Sequence, residues 1–139
     1  VRGVTVIDQF RAEHARIEAG LAAAEKVLSE PQRLQAQLQT MRAEVVTHFT
    51  QKDAFYPALA EQCAAAKDTA GAQLTRIFES NMKVQSAAIR RFFEGFSALP
   101  PDALPSSFAT VALVVRQRFG TEERAVFPLF TRTLPKATP

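Results

Sequence analysis

Long stripes of apolar residues at steps of three and four run through this chain, and they leave little room for anything but a helical fold. One reads Ile7, Phe10, His14, Ile17, Leu21, Ala24, Leu28; a second reads Leu34, Leu38, Met41, Val45, His48, Lys52, Phe55, Leu59. Those steps put each set on one helical face that has to be buried. Neither stripe is purely apolar. His14, His48 and Lys52 sit inside them, so two imidazoles and an ammonium point at whatever covers these faces. Two histidines converging from two helices are how a metal site in a helical bundle begins.

Breaks between the stripes set the element boundaries. Thr5 with Asp8 three residues on is a capping-box pattern opening a first helix that runs to about Leu28, although Val4 and Val6 fit an extended arm equally well. Ser29, Glu30 and Pro31 end it and start a second helix, which runs to about Ala64. Pro57 removes the hydrogen bond to the Asp53 carbonyl and predicts a kink there. Residues 67–71 read as a loop or a frayed junction. A third helix follows over residues 72–96, with Leu74, Phe78, Met82, Gln85, Ile89, Phe92 and Phe96 on one face. The three prolines between Leu99 and Pro105 mark a linker, and a fourth helix starts at Ser106 or Ser107 and runs to about Phe130. Its stripe is Phe108, Val111, Val115, Arg118, Glu122, Ala125, Leu129. Short connections between long helices favour antiparallel neighbours. The expectation is an all-α, up-down-up-down antiparallel four-helix bundle over residues 1–130, with 131–139 as a disordered tail.

Several classes of function drop out on composition. With 139 residues, the chain has the length of one domain with a real core. Its apolar runs are too short to span a bilayer, and no secretory signal pattern opens it, so no membrane partner is expected. The net charge of +3 is scattered over helical faces without a Lys/Arg block, which argues against nucleic acid. A lone Cys63 suits a reducing, cytoplasmic setting. No phosphate-binding glycine loop or nucleophile elbow is present. Phe92, Phe93 and Phe96 offer more aromatic surface than one stripe buries. They point either to a homodimer or protein-partner surface or to a thick bundle end.

The second and fourth helices echo each other. His48-Phe-Thr-Gln-Lys-Asp53-Ala-Phe-Tyr-Pro57 parallels Arg118-Phe-Gly-Thr-Glu-Glu123-Arg-Ala-Val-Phe-Pro128: a large polar residue, a charged pair, an aromatic residue and a proline. With Glu13-His14-Ala-Arg-Ile17 in the first helix, these segments resemble the hemerythrin-like (HHE) cation-binding family over roughly residues 5 to 130. The resemblance implies a four-helix bundle whose histidines and carboxylates hold a di-iron centre that binds or reacts with dioxygen. The chain departs from that pattern at each of the other three helices. Lys52 stands where a bridging carboxylate belongs, and sliding the alignment back from Pro57 puts Gln51 there instead. Arg118 stands in place of a histidine, and the third helix has no histidine, offering Asn81, Met82, Gln85 and Ser86.

A guanidinium has no lone pair to give a metal, and an inward ammonium repels a dication. The candidate ligands are therefore His14, His48, Glu122, Glu123 and Asp53, too few for two irons but enough for one. Lys52, Gln85 and Arg118 would share the same inner layer as a polar cluster. Lys52 would either pair inward with Glu122 or snorkel to the bundle end. The leading reading is a divergent module with a lost or reduced metal centre and no cofactor, acting in binding or regulation, with a sensory role among the options. The alternatives are a one-metal protein handling oxygen or peroxide, with iron or another divalent ion, and a structural or dimerisation bundle.

Overall fold

In the computed structural model, which describes residues 5–133, the chain is four long helical segments joined by short turns. Helix α1 spans Thr5–Lys26 and α2 spans Pro31–Ala65. Helix α3 spans Thr69–Gly95 and runs into a short 3-10 turn at Phe96–Ala98. The last segment is compound: α4 (Leu104–Thr121), one π turn (Glu122–Val126) and α5 (Phe127–Arg132) follow without a break. The arrangement is the antiparallel four-helix bundle expected from the stripes, and no strand occurs among the described residues. No helix is long and apolar enough to cross a membrane.

Local chemistry explains where the boundaries move from the sequence reading. Val6 is helical, so it is not part of an extended arm; Val4 lies outside the described residues. The stretch 67–71 is hardly a loop. Lys67 takes a left-handed backbone (φ 60°) to reverse the chain, and Asp68 then caps α3 by accepting from the Gly71 N–H at 2.9 Å. An aspartate at this position satisfies a donor that the helix cannot, so α3 starts three residues earlier than its apolar stripe suggests. Pro105 sits in the first turn of α4, where a missing N–H costs nothing, so that helix begins at Leu104 and not at Ser106 or Ser107. Helix α2 continues through Pro57 to Ala65. The last helix also outruns expectation: Thr131 and Arg132 belong to α5. The rest of the expected tail, 134–139, lies outside the described residues.

Helical periodicity accounts for the core. Ile7, Phe10, Ile17, Leu21 and Ala24 of α1 meet Leu34, Leu38, Val45, Phe49 and Leu59 of α2, all buried. Near the linker between α3 and α4, Phe92 packs edge-on to Phe93 (centroids 5.3 Å) and lies 6.5 Å from Phe108. Phe92, Phe93 and Phe96 are therefore interior residues, which bears out the thick bundle end and corrects the alternative that they form a contact surface. Two elements share them: the 3-10 turn tightens the chain after Gly95 and carries Phe96 inward, so one helical stripe is not their only outlet. The large apolar side chains that α3 does expose are Leu74, Ile77 and Val84.

Candidate functional site

A layer of polar side chains crosses the middle of this core. Helix α1 contributes Glu13 and His14, α2 contributes His48, Lys52 and Tyr56, α3 contributes Gln85, and the last segment contributes Arg118 and Glu122. Lys52 lies at the centre with no exposed surface at all. Its Nζ donates to His14 Nε2 at 2.7 Å and to the Glu122 carboxylate. Around these contacts the Phe119, Phe49 and Phe10 rings close a cage, with centroids 4.8, 5.3 and 5.6 Å from Nζ. Faces of aromatic rings attract a cation, so the cage and the carboxylate favour the ammonium, while burial and the nearby Arg118 oppose it.

Glu122 is the hub. One oxygen takes the Lys52 proton donor, and the other accepts from the Tyr56 hydroxyl at 2.6 Å and, more loosely, from Arg118 Nε at 3.5 Å. Tyr56 in turn accepts from Arg118 Nη2 at 2.6 Å, and Arg118 Nη1 donates to Gln85 at 3.3 Å. Across the layer, His48 Nδ1 lies 2.5 Å from Glu13 Oε1. His14 stacks on Phe119 with centroids 3.7 Å apart.

Burial decides the protonation states. It pulls His14 below its ordinary value, against the pull of Glu122. It drives His48 down to about 2, with Lys52 and His14 adding to the effect. Both imidazoles are thus neutral at pH 7. The hydrogen bonds then assign the tautomers. His14 accepts at Nε2 and carries its proton on Nδ1. His48 donates from Nδ1 and keeps a bare Nε2. Both His14 Nδ1 and His48 Nε2 are buried without a partner. Burial lowers Lys52 despite its carboxylate. For Glu122, burial acts to raise the pKa, but the Lys52 ammonium first and the Tyr56 hydroxyl with it overcome that, and the carboxyl stays ionised well below its usual range. Tyr56 is pushed up, by burial first and the adjacent carboxylate second, and remains a phenol.

A backbone irregularity puts Glu122 there. The Phe127 N–H bonds to the Glu122 carbonyl, five residues back, which makes a π turn of Glu122–Val126. One residue is looped into the helix, so the buried face moves on from Ala125 to Val126 and Phe127. Such turns recur at functional sites. It also reconciles the two echoing segments, since Arg118 to Pro128 is one residue longer than His48 to Pro57.

Of the residues singled out from sequence, the structure brings together His14, His48, Lys52, Gln85, Arg118 and Glu122. Glu123 stays at the rim, paired with Arg11 at 3.1 Å and 3.9 Å from His14 Nδ1. Asp53 is not in the layer; it pairs with Arg90 of α3 at 2.8 Å. One residue of helix turns a side chain by about 100°, so Asp53 cannot face inward beside Lys52. Lys52 does not snorkel. Two members of the layer, Glu13 and Tyr56, were missed as site residues, yet both carried a signal. Glu13 lies three residues after Phe10 and four before Ile17, and Tyr56 lies four after Lys52.

An antiparallel four-helix bundle with inward histidines and carboxylates is the architecture of the hemerythrin-like class. A family model, the hemerythrin HHE cation-binding domain, matches residues 5–130, and the chain belongs to that family. No curated protein and no solved structure matches it.

The donors present do not fit the iron pair that this family implies. Lys52 Nζ lies against both His14 Nε2 and the Glu122 carboxylate, which approach each other to 3.3 Å, and its charge repels a dication. Arg118 offers no lone pair. His48 Nδ1 is committed to Glu13. Among the described residues, no three His, Cys, Asp or Glu side chains are grouped so as to hold a metal ion.

Proposed function

We propose that this domain is a hemerythrin-like module that works without a di-iron centre, as a binding or regulatory unit in which Lys52 supplies the central positive charge. One observation carries the reading: the Lys52 ammonium bonds both the imidazole of His14 and the carboxylate of Glu122, the groups an ion would need. A cation fixed to the chain needs no loading and undergoes no redox change, which suits a domain that recognises rather than reacts. A free, buried Cys63 fits a reducing cytoplasmic setting.

Anaerobic loading with ferrous iron, exposure to air, and elemental analysis with a visible spectrum test this. The expected result is less than stoichiometric iron and no oxo-bridged bands. About two irons per chain with those bands would falsify the reading. About one tightly held ion, lost in His14→Ala or His48→Ala, would favour a one-metal protein that uses the bare Nε2 of His48.

A further inference from the structure

In the polar layer two buried cations, Lys52 and Arg118, share one contacting carboxylate, while the other acidic residue, Glu13, faces His48. Lys52 and Arg118 are both buried, both histidines are neutral, and Glu122 is the carboxylate that contacts either cation among the described residues. Its nearer contacts are Lys52 and Tyr56, and Arg118 reaches it only through Nε at 3.5 Å. A guanidinium has five N–H groups. Three of those of Arg118 have partners, to Glu122, Gln85 and Tyr56, which leaves one on each terminal nitrogen. Arg118 is also the inner wall of a cleft between α3 and α4, of about 370 Å³, lined by Phe78, Asn81, Val84, Gln85, Arg118 and Thr121.

We propose that this cleft binds a small organic carboxylate, whose anionic group is held by Arg118 and whose short apolar tail lies against Phe78 and Val84. Arg118 shares its one carboxylate, Glu122, with Lys52 and touches it only through Nε at 3.5 Å, so its terminal nitrogens face no acid, and their planar fork matches the two oxygens of a carboxylate. Asn81 adds a hydrogen-bonding side chain to the lining, whereas the Thr121 hydroxyl already donates to the Gln117 carbonyl at 3.0 Å. The half-apolar lining favours an acid with a hydrocarbon tail over an inorganic oxyanion. Occupancy would be felt in the core, because Arg118 is bonded to Tyr56, and Tyr56 to the Glu122 hub. The proposal rests on the reading of the domain as a binding module and names the ligand class for it.

Thermal melts of the whole chain with acetate, butyrate and benzoate, at matched ionic strength, test the proposal. Butyramide serves as the uncharged control, and sulfate and phosphate as inorganic anions. A saturable rise of about 3–6 °C is expected with a carboxylate at roughly ten times its dissociation constant. Butyramide should give none. Val84 is 73% exposed, so a charge placed there leaves the packing intact. Val84→Glu should weaken carboxylate binding about tenfold, Val84→Lys should not weaken it, and Arg118→Met should abolish it. No saturable shift with any carboxylate overturns the proposal. So does a shift that Val84→Glu and Arg118→Met leave unchanged, or a larger response to sulfate or phosphate. Iron analysis of the same samples separates the two ideas: a metal-free chain that ignores carboxylates removes this ligand and keeps the metal-free module.

Discussion

One end of this core and its middle are built on different principles. Towards the α1–α2 turn and the α3–α4 linker, Leu21, Ala24, Leu34, Leu38 and Phe108 pack side chain on side chain, and none has exposed surface. In the middle, Glu13, His48, His14, Lys52, Glu122, Tyr56, Arg118 and Gln85 are linked by directed contacts. Packing is non-directional and tolerates repacking, whereas a buried charge network works only when every member is present. The apolar end makes the bundle stable; the polar layer makes it particular.

The largest way to break that contrast is at its hub. Glu122→Ala leaves Lys52, Arg118 and Tyr56 without their shared acceptor and should cost about 3–5 kcal/mol in urea melts. Adding Lys52→Met should recover part of that loss, because the orphaned ammonium goes with it. If the two changes prove additive, the pair is not coupled and the network picture is wrong. At the apolar end, Leu38→Ala should cost about 2–5 kcal/mol through loss of burial and the cavity left behind. A pairing with Leu34→Ala has no charge to rescue, so no recovery is expected there.

Acid separates the two regions next. The folded-state values of His14, His48 and Glu122 all lie below their unfolded ones. The unfolded chain therefore binds more protons as pH falls, first at the histidines below about pH 6.5 and then at Glu122 below about pH 4.5. Stability is fully present above those values and drops by up to about 1.4 kcal/mol per pH unit for each group titrating. The loss continues towards pH 2 for His48. Urea midpoints between pH 7 and pH 4 should show a slope that Leu38→Ala leaves alone and that His48→Leu reduces. A slope unchanged in His48→Leu would mean that His48 is not the buried neutral group described here.

The smallest effect is the sharpest control. Glu123 neighbours Glu122 in sequence but is 40% exposed and pairs with Arg11 at the rim. Glu123→Ala should therefore change stability by less than about 1 kcal/mol. Equal losses at the two positions would place both carboxylates in the layer.

Much of this was legible beforehand, because helical period and burial are linked. His14, His48, Lys52, Arg118 and Glu122 each occupy a stripe position, and each is inward. The same spacing rule covers Glu13, three residues after Phe10, and Tyr56, four after Lys52. Asp53 was a candidate on chemistry alone and lost to geometry, since it faces Arg90. The phenylalanines at the end of α3 fit either a contact surface or a thick bundle end from their number alone, and the volume between α3 and α4 decides for the second.

By itself the sequence determined that the chain is helical, that it has four long segments, and that two imidazoles and one ammonium turn inward, because each follows from a period of 3.6 residues and the cost of exposing apolar faces. Only the tertiary structure decided what those inward groups meet. That Lys52 lies between His14 and Glu122 depends on the relative slide of α1, α2 and the last helix, and on a π turn that re-aims one face by a residue. Such registers are set by packing between segments distant in sequence, and local periodicity carries no record of them.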